Sequence, residues 1–180
     1  MRYRLQLPVP ALTLICVAAV GDAVLAQPRP YAPQAQVPEV VGNDPLLQME
    51  IRSLQAAQVP DWRDVLAPAY PGAVVVASEP SRTLRVGRNQ RVDTYPVIIL
   101  LTADAPEQVL DFYRRNLPAW NHGQFVASDY FWAGGDEFHP FSWSGQVTAS
   151  VQVAPARVSK LVPDARTEIH VRYRPGTDRL

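Results

Sequence analysis

The chain has 180 residues, one cysteine, and 17 basic against 17 acidic side chains, giving a formal net charge of zero. That balance excludes a global electrostatic pull toward nucleic acid or acidic membranes. A single cysteine excludes an intrachain disulfide, so stability has to come from packing.

Residues 1–26 read as a cleaved secretory signal peptide. Arg2 and Arg4 give a basic start, Leu5 to Val20 is largely apolar, and Val24-Leu25-Ala26 offers small or apolar residues for cleavage. Gly21 and Asp22 cut the apolar run short of the roughly 20 residues a bilayer span needs, so no transmembrane span is expected in the mature form. Cys16 follows Ile15 in mid-segment, the wrong position for lipidation, and is lost with the signal. The mature chain then has 15 basic and 16 acidic residues and no thiol to serve as nucleophile or metal ligand. The expected location is periplasmic or secreted.

Residues 27–43 are proline, glutamine, alanine and valine with almost no charge, and read as a disordered linker before a single domain at 44–180. Asp44 ahead of Pro45 is a helix start, and Leu47, Ile51 and Leu54 recur at helical spacing, predicting a helix over 45–57. Pro60, Pro68 and Pro71 break the next stretch, leaving room for a turn or two after Asp61. Ala73 to Ala77 is a short strand. Arg82 to Val86 and Arg91 to Leu101 flank Gly87-Arg88-Asn89-Gln90, which suits a hairpin turn. Val97 to Leu101 is apolar on both faces, as in an interior strand.

Asp104, Pro106 and Glu107 predict a capped helix start, and Pro118 ends that helix near Leu117. Its face of Val109, Phe112 and Tyr113 needs a flat partner. Gln124 to Trp132, Val147 to Val153 and Thr167 to Tyr173 predict three further strands, the last two with clean alternation. The fold class is therefore α+β: a mainly antiparallel sheet of five or six strands with two helices packed on one face.

Tyr70-Pro71-Gly72-Ala73 ahead of a strand, followed by Thr102-Ala-Asp-Ala-Pro-Glu-Gln-Val-Leu-Asp-Phe-Tyr and then Leu117 and Trp120, resembles a pattern in uncharacterised exported bacterial proteins and lipoproteins. The resemblance covers about a third of the chain and implies a small envelope domain without an assigned activity.

Several constellations bear on function. Aromatic side chains crowd the stretch from Trp120 to Trp143 and fall on both faces of the predicted strand; most read as core, with Trp120, Trp132, Phe138, Phe141 and Trp143 as candidates for an exposed binding patch. Arg85, Arg88 and Arg91, with Arg82, make a basic hairpin tip that reads as solvated charge guarding the hairpin from edge-to-edge association, with an anionic partner as the alternative. Glu168, His170 and Arg172 would align with Thr148, Ser150 and Gln152 if their strands are neighbours. That face reads as the wet side of a sheet, with a ligand platform as the alternative. His122, His139 and His170 fit no metal spacing, Phe141-Ser142-Trp143-Ser144-Gly145 lacks the first glycine of a nucleophile turn, and no cofactor is implied.

The function expected is a non-catalytic binding or interaction module engaging an envelope protein or a surface polymer. The alternatives are a small hydrolase using Asp136 and Glu137 with His139, and a structural or assembly component attached through its N-terminal arm.

Overall fold

The computed structural model describes residues 29–39, 42–135 and 138–176. The expected signal peptide, residues 27–28 and 40–41 of the expected linker, and Asp136 and Glu137 lie outside the described residues.

Helix α1 (Pro45–Gln55) starts as the sequence predicts: Asp44 accepts hydrogen bonds from the N–H groups of Leu46 (2.9 Å) and Leu47 (3.3 Å), and Pro45 occupies the first turn. Strand β1 (Val74–Glu79) follows a short 3-10 turn at Trp62–Asp64. A hairpin of β2 (Thr83–Val86) and β3 (Gln90–Asp93) stands apart as its own two-stranded ribbon, and β4 (Val97–Thr102) returns to pair with β1. Then come α2 (Pro106–Asn116), β5 (Asn121–Phe125), β6 (Ser128–Trp132), a single-turn helix α3 (Trp143–Gln146), β7 (Ser150–Pro155) and β8 (Thr167–Arg172). The main sheet has six strands in the order β1-β4-β8-β7-β6-β5, every ladder antiparallel. The α+β class is thus found. As its two apolar faces predicted, β4 is interior, between β1 and β8.

Strand alternation sorts the sheet into two faces. One carries Val75, Leu100, Ile169 and Val153 in one cross-strand row and Ile98, Val171, Val151 and Phe131 in the next. On this face α2 buries Val109 and Tyr113, with Tyr113 and Phe131 ring centroids 5.9 Å apart. The other face carries Leu101 with Glu168, Ile99 with His170 and Gln152, and Val97 with Arg172 and Ser150. Helix α1 runs along the β1 edge, where Leu46, Met49 and Glu50 share a groove with Ala77, Leu101 and Glu168 of that second face. The two helices therefore do not share one face. The apolar stripe of α1 is short, and it settles at the sheet edge instead of on the main core.

Two expectations are corrected by tertiary contacts. The segment expected to be a disordered linker is extended but docked over 29–35, whereas 36–39 are exposed. Tyr31, Ala32 and Ala35 are buried, Ala35 N–H donates to Val75 O (2.9 Å), and Val75 N–H donates to Pro33 O (2.7 Å). A proline-rich chain with few internal bonds is free to use its backbone groups on a sheet edge, and β1 offers one. The stretch from Gln124 to Trp132 is two strands, because Val126 turns the chain with φ 57° although a β-branched residue gives no turn signal.

The capped start of α2 also differs. Ala105 takes the N-cap position, with Gln108 reaching back to its N–H (3.1 Å). Asp104 is occupied elsewhere: it accepts from the Tyr70 hydroxyl (2.8 Å), and Tyr70 packs edge-on against Phe112. The two quoted sequence patterns thus meet across α2. No helix among the described residues is long and apolar enough to cross a membrane.

Candidate functional site

The strand pairing that places β7 beside β8 sets Arg172 opposite Ser150 and His170 opposite Gln152, and β6 adds Tyr130 and Trp132 to the same two rows. This polar stripe is not the wet side of the sheet. Residues 138–149 cross it as a strap, anchored by Phe138, which stacks on Trp132 with centroids 4.8 Å apart and planes 14° off parallel. Phe125 completes a second apolar cluster with Tyr130, Trp132 and Phe138. The aromatics split into two cores because Val126 reverses the chain. Phe125, Tyr130 and Trp132 then share one face, while Phe131 faces α2.

Beneath the strap lies an open cavity of about 130 Å³. Arg172, His170, Ser150 and Gln152 supply its polar lining, and Tyr130, Phe138 and Phe141 supply apolar walls. Arg172 donates through Nη1 to both acceptors of Gln146, the backbone oxygen (3.3 Å) and Oε1. Burial pulls the guanidinium pKa below its usual value, a trend that Glu79 and Tyr130 oppose through space. The side chain stays charged in any case. No carboxylate among the described residues forms an ion pair with it.

His170 is held differently. Its Nε2 lies 2.5 Å from Glu168 Oε1, and Arg157 approaches the same oxygen at 3.8 Å. The hydrogen bond from His170 holds the Glu168 carboxyl below its ordinary pKa, against the opposing effect of its partial burial. A carboxyl depressed on folding adds stability that is present above the unfolded value of 4.5 and lost as the pH falls through the lower folded value. The melting-temperature gap between wild type and Glu168→Gln is expected to be present at pH 5.5 and to shrink as the pH falls below 4.5. A gap that stays constant below pH 4.5 would assign the effect to packing.

The sequence-nominated residues separate into two groups. Trp120 is partly buried against the α2-side core, and Trp132 and Phe138 are buried in the second cluster, so these three hold structure together. Phe141 and Trp143 remain exposed on the strap, at 68% and 51%. Arg85, Arg88 and Arg91 are exposed on the β2–β3 hairpin, where Arg85 sits directly across from Arg91 and Arg88 lies in the turn. The hairpin is rooted beside the strap, since Tyr95 N–H donates to Gln146 O (2.8 Å). His139 is exposed, its Nδ1 accepting from the Phe141 N–H at 3.4 Å. His122 pairs with Asp129 (2.9 Å) on the α2 side, far along the sheet order from the Arg172 row on β8.

Among the described residues no group of three or more His, Cys, Asp or Glu side chains is placed to hold a metal ion. The sequence places Arg172, Ser150 and Gln152 on a face that reads first as wet and only alternatively as a ligand platform, so they are not among its nominated binding residues. Their alternation on neighbouring strands was the available signal, and only the covering strap turns that signal into a cavity. No protein-family model, curated protein sequence or solved structure matches the chain.

Proposed function

We propose that the chain is an exported, non-catalytic binding module of the bacterial envelope, periplasmic or secreted, that holds an acidic surface polymer through the arginine hairpin and the exposed strap aromatics. The apolar start of the sequence and its resemblance to exported proteins support the location. The observation that carries the binding reading is the hairpin register: Arg85 faces Arg91, and neither has a carboxylate partner among the described residues. Like charges directly opposite weaken a two-stranded ribbon, so hairpin stability does not account for this placement, whereas a polyanion would relieve it. Phe141 and Trp143, on the strap tied to the hairpin base, add exposed ring surface suited to stacking on sugar rings.

The purified protein is expected to be retained on immobilised polygalacturonate, a carboxylated polysaccharide, and not on neutral dextran. Retention should weaken steeply with salt, and the triple variant R85Q/R88Q/R91Q should bind about tenfold less tightly or worse. Because these side chains are exposed and the substitutions remove the like-charge opposition, the variant should melt at or slightly above the wild type. Undiminished binding by the triple variant, or equal retention on dextran, rules out the arginine hairpin as the docking element.

A further inference from the structure

We propose that the cavity under the strap is a binding site for a small monocarboxylate, either a free acid or the end of a peptide. The inference stands on the Arg172 row and does not depend on the hairpin.

The argument begins with unused donors. Arg172 spends only Nη1 on Gln146, through two neutral oxygens, while Nε and Nη2 have no partner among the described residues. The Nε and Nη2 groups form one edge of the planar guanidinium, and two parallel N–H donors are the fork that a carboxylate accepts side-on. A partly desolvated cation held only by neutral groups is unfavourable, and an anion in the cavity would compensate it. Ser150, directly across the strand pair from Arg172, is buried, and its hydroxyl makes no hydrogen bond among the described residues. It lines the same cavity and supplies a further donor.

Charge and size then select among anions. The neighbouring histidine is engaged by Glu168, and Glu79 adds negative potential at Arg172. One guanidinium in that field favours a monoanion over a doubly charged phosphate. The volume of about 130 Å³ is close to that of an engineered cavity known to admit benzene, so about six non-hydrogen atoms of a ligand fit inside it, and the open side leaves room for a longer chain to extend out. Phe138, Pro140 and Phe141 provide apolar walls for a short hydrocarbon body next to the charged end.

The test is a titration of the purified ¹⁵N-labelled protein with sodium butyrate, following the Arg172 Nε–H resonance by NMR. Saturable shifts with an affinity of about millimolar are expected for so small a ligand. Butyramide, the neutral isostere, should produce none, and inorganic phosphate should bind at least about tenfold more weakly. Arg172→Lys keeps the charge and loses the fork, and should weaken butyrate about tenfold. Phe141→Ser changes an exposed wall residue, leaves the fold intact, and should weaken it about threefold. The R85Q/R88Q/R91Q variant should bind butyrate like the wild type, which separates this site from the hairpin surface.

A short peptide with a free carboxyl end, compared with its amidated form, distinguishes the two sources. Tighter binding than butyrate, lost on amidation, identifies a chain end as the ligand; weaker binding identifies a free acid. Absence of a saturable shift with both butyrate and the peptide overturns the proposal. So does an equal response to butyramide, or phosphate binding as tight as butyrate.

Discussion

Replacing Tyr31 by alanine should destabilise the protein by about 3–5 kcal/mol, and deleting residues up to 43 should cost at least as much. Tyr31 is 5% exposed and belongs to the same buried cluster as Val65, Ala67, Val75 and Tyr113. Truncating it leaves a cavity the size of an aromatic ring next to α2. Deletion also strips the two backbone hydrogen bonds that pair Pro33 and Ala35 with Val75, and so bares the edge of β1. Against a total stability of roughly 5–15 kcal/mol, either loss is large enough to populate the unfolded state. Urea unfolding provides the measurement, with the midpoint falling at an unchanged slope for the point variant. Tyr31→Phe is the control. The hydroxyls of Tyr31 and Tyr113 are both buried without good hydrogen-bond geometry to any described group, and burial pushes both phenols well above their ordinary pKa. Removing one hydroxyl should therefore change stability by no more than about 1 kcal/mol. If Tyr31→Ala also stayed within that margin, residues 29–39 would be an arm after all, and attachment through it would return as a function.

The contrast between that segment and the sheet shows what a sequence displays. Alternation in Val151-Gln152-Val153 and in Ile169-His170-Val171 is a local consequence of the pleat, so β7 and β8 are legible, and so is the single face that Ser150 and Gln152 share with His170 and Arg172; the register that sets Arg172 against Ser150 and leaves Thr148 outside β7 is not. The interior place of β4 followed from its unbroken apolar run for the same reason. Docking of Tyr31 was not legible, because a proline-rich stretch carries no period to indicate which of its few apolar side chains finds a partner. The reversal at Val126 broke the rule that turns are made by glycine, asparagine or aspartate, and a valine at positive φ costs about 1–3 kcal/mol that the surrounding ladder must offset. The cavity stayed hidden for a third reason. Its polar lining has the pattern of an exposed sheet face, and only the non-local crossing of residues 138–149 removes that face from solvent. For the same reason the sequence, which puts aromatics on both strand faces and most of them in the core, does not single out the exposed ones: Trp132 and Phe138 anchor the strap, and Phe141 and Trp143 are what it presents.

The strap itself turns on a single glycine, and Gly145→Ala is the second substitution with a large expected effect. A Cβ at this position would lie 2.2 Å from the backbone oxygen of His139 and 3.1 Å from Cα of Pro140. Neither is the flexible end of a side chain, so the strap backbone has to move. The His139 oxygen accepts from both the N–H (3.0 Å) and the hydroxyl (2.8 Å) of Ser142, and Ser142 in turn caps α3 by accepting from Gly145 N–H (3.2 Å). Displacing that oxygen loosens the single-turn helix and, with it, Gln146, the partner of both Arg172 and Tyr95. The expected cost is about 1–3 kcal/mol, read as a fall in melting temperature of about 2–4 °C for each kcal/mol. Gly123→Ala sharpens the reading. Its Cβ would meet the ring of Trp132 at 3.2 Å, a contact that a side chain of the same aromatic cluster relieves by shifting a few tenths of an ångström. The smaller loss should therefore come from Gly123→Ala, with butyrate still bound, whereas Gly145→Ala should lose both stability and the Arg172 response. Equal effects of the two variants would mean that the strap is held by its aromatic anchor alone and that the turn at Gly145 does not set the cavity.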